Sequence, residues 1–481
     1  MPDAGNLIHT LRDRAQGRLD APAIVEPAAA ISYADLFDRA ARLAGALAER
    51  GAGPGDRVVV QVDKSPDAVA LYLACLHAGT VHTPLNPAFT ADELAYFIDD
   101  ADPAVVIARD HVTLDELATA AEDADPLSIV DRADHDLAAI LYTSGTTGKP
   151  KGAALTHANL RHNARALHDA WAFGPDDHLI HSLPLFHVHG LFVALHCAML
   201  AGIQMTFLRR FDTTAVIDAL DDATVLMGVP THYHRLLADD RFDRDRTAGM
   251  RLFTCGSAPL PQAQFDAFTE RTGHRICERY GMSEAGIITS NPYDGERIAG
   301  TVGFALRDVE LRVTDEAGAP VRTGETGVLE VRGPHLFAGY WRRPEATTDA
   351  HRDDGWFVTG DVGSLDDDGR VTLQGRAGDM IISGGENVYP KEIELVLDEQ
   401  PGIVESAVIG LPHPDFGEAV TAIVVTDAAF DADAVTAALT ERLARYKHPK
   451  QMLTVDALPR NAMGKVQKSA LRASYAETFS D

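Results

Sequence analysis

Between residues 33 and 108 the chain alternates two hydrophobic periods, and that alternation limits the fold more than any other feature. From Tyr33 to Arg50, Leu36, Phe37, Ala40, Leu43, Ala44 and Leu47 recur at helical spacing, and Gly51 suits the helix end. Arg57 to Val62 reads as a strand. Ser65 and Pro66 match an N-cap and first helical position for a helix ending near Gly79. Thr90 and Glu93 form a capping box, and Pro103 to Ala108 returns to strand. Strands joined by helices cross over and pair in parallel, so the expected class is α/β, with sheets layered against helices. Asp115 to Asp136 is acidic and reads as an exposed connection. At 481 residues the chain has room for two or more domains.

Acids outnumber bases 71 to 43, giving a formal charge of −28. That field opposes sequence-independent nucleic-acid binding and docking on anionic lipid, while a local Arg or Lys pocket can still take an anionic substrate. Cys75, Cys197, Cys255 and Cys277 are scattered without a CxxC, as expected for reduced, buried thiols in a cytoplasmic protein. The N-terminus lacks the basic-then-apolar pattern of a signal peptide. Leu191 to Leu208, the most membrane-like stretch, is interrupted by His196, Gly202 and Gln204 and reads as core.

Chemistry concentrates first at Leu137–Gly152. An apolar run to Tyr142 suits a buried strand, and the nine residues Thr143 to Lys151 then hold two Gly, two Lys and four hydroxyl side chains. Glycines let backbone N–H groups converge on phosphate oxygens, hydroxyls add donors, and lysines oppose the charge. It is not a Walker A loop, because only two residues separate Gly145 from Gly148 and Pro150 follows Lys149. Further on, His187 and His189 lie two apart and would face the same way on an extended strand. A zinc site needs further ligands at defined spacing, and none is evident.

The string Thr143-Ser-Gly-Thr-Thr-Gly-Lys-Pro-Lys-Gly152 resembles the signature loop of the adenylate-forming superfamily: acyl-CoA synthetases, peptide-synthetase adenylation domains and firefly luciferase. The resemblance implies that Thr143, Ser144, Gly145, Thr146, Thr147, Gly148 and Lys149 grip the β- and γ-phosphates of ATP. The family's other motifs follow in order. Phe253-Thr-Cys-Gly-Ser-Ala-Pro-Leu260 resembles the adenine-side turn, carrying Gly256, Ser257 and Ala258. Glu278-Arg-Tyr-Gly-Met-Ser-Glu284 resembles the motif in which Tyr280 and Gly281 flank the nucleotide, Ser283 faces the α-phosphate and Glu284 holds Mg²⁺. A carboxylate fits that task, since Mg²⁺ prefers hard oxygens shared with substrate phosphates. Asp361, in Trp356-Phe-Val-Thr-Gly-Asp361, and Arg376 would reach the ribose.

Pro184-Leu-Phe-His-Val-His-Gly190 resembles the segment bordering the acyl pocket, with His187 at the gate; His189 can also be read as a structural histidine. Ser383-Gly-Gly-Glu-Asn-Val-Tyr-Pro390 resembles the loop facing the CoA pantetheine tunnel, assigning Gly384, Gly385 and Glu386 to CoA. Pro459-Arg-Asn-Ala-Met-Gly-Lys465 resembles the C-terminal motif and makes Lys465 the candidate catalytic lysine. The usual Asp or Lys of the interdomain hinge is replaced by Gly378, which relaxes the backbone where the chain must swivel.

The resemblance covers the chain. It implies a large N-terminal adenylation domain, residues 1–377, of layered β-sheets and helices, and a small mobile α+β C-terminal domain, residues 378–481. In the latter a helix from Pro390 buries Ile393, Val396 and Leu397, with strands near 404–410 and 420–426 and a helix near 432–446. The implied reaction is a two-step ligation of a carboxylic acid to CoA through an acyl-adenylate, with ATP and CoA as co-substrates and Mg²⁺ as cofactor. Arg235 and Arg279 fall in segments bordering the acyl pocket, and two guanidinium groups there point to a dicarboxylate activated at one end. The chain most closely resembles malonyl-CoA synthetases, which implies malonate or methylmalonate as the acid. The other readings are a solvent-facing Arg235 and an Arg279 ion-paired with Glu278. Ligases for other short acids, enzymes loading a carrier protein, and a nucleotide-binding protein without catalysis stay open. The expected partners are small molecules, with no nucleic acid and no membrane insertion.

Overall fold

The strand–helix alternation does build a parallel sheet. The computed structural model describes residues 5–143, 150–315, 317–383, 386–413, 416–443, 445–461 and 464–479, the side chains of 386 and 387 aside. Helix Tyr33–Glu49 starts at the Ser32 cap, and Pro66–Ala78 starts at Ser65 and ends on left-handed Gly79. Every residue of Pro66–Ala78 except Asp67 is buried, so this helix is core rather than covering layer. It connects the parallel strands Arg57–Val60 and Val81–Pro84. With Val105–Ile107, Leu137–Thr143, Lys151–Thr156 and Gly339–Tyr340 they form a six-stranded sheet.

A thirteen-stranded sheet lies against it, the two sharing one apolar core. Its middle is parallel: Gln204–Phe207, His178–His181, Val225–Gly228, Leu252–Cys255 and Cys277–Met282. Antiparallel strands continue it through Val371–Arg376, paired with Phe357–Leu365, to an edge at Glu310–Thr314. The carboxyl ends of the parallel strands open onto residues 182–190, 229–235 and 256–260, where the sequence concentrates its polar motifs. That is where ligands bind in open α/β sheets.

The turn Ala377–Asp379 leads to a third, five-stranded sheet that includes Ile381–Ser383, Ile403–His413 and Gly417–Thr426. Helix Pro390–Asp398 buries Ile393, Val396 and Leu397 against it, and packs also on Val371–Arg376 of the large sheet.

Two expectations are corrected. Asp115 to Asp136 is not all exposed connection: Leu114–Asp123 is a helix, begun by a Thr113/Glu116 capping box, with Leu117 and Ala121 buried. Its acids sit on the outer face of an amphipathic element. His187 and His189 are not on an extended strand. Val188 is already helical and His189–Leu195 is a π-helical turn, because Gly190 packs where any Cβ would stand 2.0 Å from the Pro184 carbonyl. Among the described residues no helix is long and apolar enough to cross a membrane.

Candidate active site

The phosphate-loop segment is carried by a hairpin, not by a strand-to-helix turn. Leu137–Thr143 pairs antiparallel with Lys151–Thr156, and Gly152 lets Ile140 approach to 2.6 Å of where its Cβ would be. Thr143 stands at the hairpin's mouth, its hydroxyl 3.4 Å from the Lys151 carbonyl, and Tyr96 donates to the Pro150 carbonyl at 2.7 Å. Ser144, Gly145, Thr146, Thr147, Gly148 and Lys149 lie outside the described residues.

Lys151 begins a chain of contacts that leads into the site. Its ammonium lies 5.1 Å from the centre of the Tyr340 ring, and the Tyr340 hydroxyl donates to Glu284 at 2.9 Å. Glu284 and Ser283 occupy the turn between Cys277–Met282 and Gly286–Ser290, a turn so tight that a Cβ at Gly281 would stand 2.1 Å from the Gly286 carbonyl. Burial raises the pKa of Glu284, and the hydrogen bonds it receives offset part of that. A buried carboxylate held by the hydroxyl of Tyr340, whose ring lies beside Lys151, fits a hard divalent cation shared with substrate phosphates. Among the described residues no cluster of three His, Cys, Asp or Glu could hold a metal by itself.

Asp361, Tyr280 and Arg376 form the next group. The Tyr280 hydroxyl and Arg376 Nε, at 2.7 Å, bond opposite oxygens of the Asp361 carboxylate. Arg376 also reaches the Thr359 carbonyl at 3.3 Å. Lys465 arrives from the other domain: Gly464 packs on Thr231, whose Oγ1 would be 3.2 Å from a Cβ there. Asn461 accepts from the Lys465 backbone at 3.0 Å. Lys465 keeps exposed surface; partial desolvation lowers its pKa, reinforced by Arg376 and partly offset by Asp361 and Asp379. Arg472 ties the hinge turn to the last helix through Asp379 at 2.8 Å.

Arg279 is buried on the far side of this group. Its guanidinium lies where Gly256 leaves space, since a Cβ at 256 would fall 2.5 Å from Cζ. Ser257 holds a left-handed φ of 70° beside it, Ala258 follows in the same turn, and the Ser257 hydroxyl lies 3.4 Å from His189 Nδ1. Nε and Nη2 of Arg279 have no hydrogen-bond partner, and Glu278 does not pair with it: Glu278 accepts from the Gly300 N–H at 3.2 Å. Burial lowers the Arg279 pKa to about 10, so it stays charged at neutral pH.

His187 packs against Phe186 with the rings tilted by 46° and their centres 4.6 Å apart, and burial lowers its pKa to about 4. Arg235 lies at the exposed end of helix Pro230–Leu237, lining a cavity of about 380 Å³ with His232 one turn before it. His232 was not foreseen, although the i,i+3 spacing to Arg235 on an amphipathic helix puts both on one face. Tyr340 was also missed, because nothing local in Phe337-Ala-Gly-Tyr340 tells of a carboxylate 56 residues earlier. Gly384 and Gly385 lie outside the described residues; Glu386 begins the strand Glu386–Val388.

The Asp361–Arg376 pair, Tyr280 and the Glu284–Tyr340 contact thus stand together on the motif-bearing strands, and Lys465 comes toward the pair from the C-terminal domain. The AMP-binding enzyme family matches residues 11–341, and the C-terminal domain of AMP-binding enzymes matches residues 392–465. The chain belongs to the AMP-binding enzyme family, as an ATP-dependent acid–CoA ligase. Feruloyl-CoA synthase of an Amycolatopsis species is 36% identical, over 96% of this chain and 97% of that protein. Malonate–CoA ligase of Arabidopsis thaliana is 35% identical, over 88% and 79%. Among solved structures, ATP-bound MatB from Rhodopseudomonas palustris superposes with a TM-score of 0.95 at 48% identity, covering 98% of this chain and 99% of that one. The apo form of the same protein gives 0.83.

Proposed function

We propose that this ligase activates malonate, forming malonyl-adenylate and then malonyl-CoA with release of pyrophosphate and AMP. The observation that carries the choice of acid is Arg279: a buried guanidinium with two unpartnered nitrogens and no neighbouring carboxylate. A buried cation of this kind is costly until an anion meets it, and a guanidinium fork matches a carboxylate. His189 and His232 lie between Arg279 and Arg235, and burial lowers the pKa of both; His232 falls to about 3. Neutral imidazoles leave the arginines as the charges a second carboxylate would meet. Relatives named for malonate and for ferulate lie at similar identity, so this pocket decides more than overall similarity does.

In the first step a carboxylate oxygen of the acid bonds to the α-phosphorus, and the bond from that phosphorus to the pyrophosphate oxygen breaks. Lys465, Arg376 and Ser283 oppose the charge that builds on the phosphate, and Asp361 receives the ribose hydroxyls while Tyr280 and the 256–258 turn frame adenine. Catalysis of this kind rests on positioning and preorganised charge. Glu284 would hold Mg²⁺, which would neutralise phosphate charge when bound. In the second step the CoA thiolate bonds to the acyl carbon and the bond from that carbon to AMP breaks.

The higher similarity to the ATP-bound than to the apo form of MatB supports an arrangement suited to the first step. We place the domain boundary near 377 and infer that rotation about Gly378 exchanges Lys465 for the 384–386 loop. Four buried, unpaired cysteines suit a reducing cytoplasm. ATP–pyrophosphate exchange with a panel of acids tests the assignment: exchange should depend on malonate, and exchange driven better by ferulate or by fatty acids would overturn it.

A further inference from the structure

Asp100 is a buried acid in a place that disfavours one. It lies in the last turn of helix Ala91–Ala101, which carries no base there, and a helix end of that polarity repels negative charge. Its neighbours Asp99 and Asp102 are exposed, whereas Asp100 is 8% exposed. A carboxylate so placed has to be held by partners, and both of its oxygens are engaged. Oδ2 accepts from the Tyr142 hydroxyl at 2.7 Å, and Oδ1 accepts from the Arg343 guanidinium. The Asp100 backbone carbonyl accepts from Trp341 Nε1 at 3.1 Å.

These partners lie one contact away from the nucleotide site. Tyr142 precedes Thr143 on the strand that enters the phosphate-loop hairpin, and it faces Gly152 across the pair. Tyr96 stands four residues before Asp100, on the same helix face, and donates to the Pro150 carbonyl on the returning side at 2.7 Å. One helix face therefore holds both sides of the hairpin mouth, and Phe97 adds a ring contact to Tyr142 with centres 4.7 Å apart. Arg343 carries the connection to the metal-binding candidate. Its N–H closes a turn on the Tyr340 carbonyl at 3.1 Å, and the Tyr340 hydroxyl donates to Glu284 at 2.9 Å. The Trp341 N–H donates to the Gly152 carbonyl at 2.8 Å, joining the two branches. On the ribose side, Tyr280 and Arg376 bond Asp361 instead, outside this set.

We propose that Asp100, with Tyr96, is a positioning residue for the β- and γ-phosphates of ATP. It sets Thr143 and Lys151 at the hairpin mouth in register with Glu284, so that those phosphates meet one preformed arrangement. This role depends on the hairpin and Glu284 meeting phosphates, as read above, and not on which acid is activated. AMP and an acyl-adenylate lack the β- and γ-phosphates, so they should not sense the register. Asp100→Asn and Tyr142→Phe are compared with the unmutated enzyme by calorimetric affinity for ATP and for AMP, and by thioester formation from supplied malonyl-adenylate and CoA. Asp100→Asn should weaken ATP by tenfold or more, while AMP affinity and the thioester step change less than twofold. Tyr142→Phe should act in the same direction, and the double variant should lose little beyond Asp100→Asn, because both changes break one contact. Equal losses for ATP and AMP, or an unchanged ATP affinity in a folded Asp100→Asn, would overturn the proposal, as would a thioester step that falls as far as ATP binding. Tyr142→Phe carries the test if Asp100→Asn does not fold. Malonate-dependent ATP–pyrophosphate exchange in the unmutated enzyme is read separately: its absence beside exchange with another acid would refute the acid assignment and leave the comparison of ATP with AMP intact.

Discussion

Arg279 shows how one residue can carry specificity and also what a sequence can tell of it. Its place next to Tyr280 was legible from the motif; its isolation from Glu278 was not, because pairing depends on which strand face each side chain takes. Arg279→Met should lower kcat/KM for malonate by roughly two orders of magnitude, since a carboxylate would be buried without its partner, and Arg235→Met, at an exposed position, should lower it by less. Propionate or butyrate should barely respond. Similar losses on mono- and dicarboxylates, read from steady-state kinetics, would assign these arginines to folding or to the nucleotide. Glu278 gives a pH signature. Burial pushes its pKa up to about 8 from the ordinary 4.5, and the Gly300 N–H offsets only part. Within that window the folded protein keeps a proton that the unfolded chain has released, so stability falls as pH rises and levels off above about 8. Glu278→Gln removes this dependence, and its melting temperature should gain on that of the unmutated protein through the window. Parallel melting curves would mean the acid is ionised when folded.

At the scale of elements, the helices announced by caps were legible: Ser32, Ser65 and Thr90 each stand where the structure begins a helix. The helix Leu114–Asp123 was missed although Thr113 and Glu116 carry the same signature, because its acids outweighed its narrow apolar stripe. The π-helical turn at His189 was beyond local pattern, since it depends on Gly190 meeting Pro184. The same kind of close approach makes the turn at Gly256 testable. In Gly256→Ala the new Cβ would fall on the Arg279 guanidinium and displace it, and misplacement of about 1 Å can cost roughly a hundredfold. Activity with malonate should drop by about tenfold or more, with the KM for ATP nearly unchanged. A rise confined to the ATP KM would show that this turn serves adenine alone.

For the whole molecule, the order of motifs foretold which segments meet, while the sheets explain why: the carboxyl ends of the parallel strands collect residues nearly 100 apart. The approach of Lys465 to Asp361 and Arg376 is a relation between domains that no local pattern encodes. Lys465→Ala should lower adenylation by roughly 3–4 kcal/mol of transition-state stabilisation, while thioester formation from supplied malonyl-adenylate persists. Equal loss in both half-reactions would contradict a lysine that serves only the first. The central claim, attack of the acid's own oxygen on the α-phosphate, is tested most directly with malonate labelled with ¹⁸O in its carboxylates. In turnover with ATP and CoA, mass spectrometry should find one labelled oxygen in AMP and none in pyrophosphate. Label in inorganic phosphate accompanied by ADP, or AMP formed without label, would contradict it.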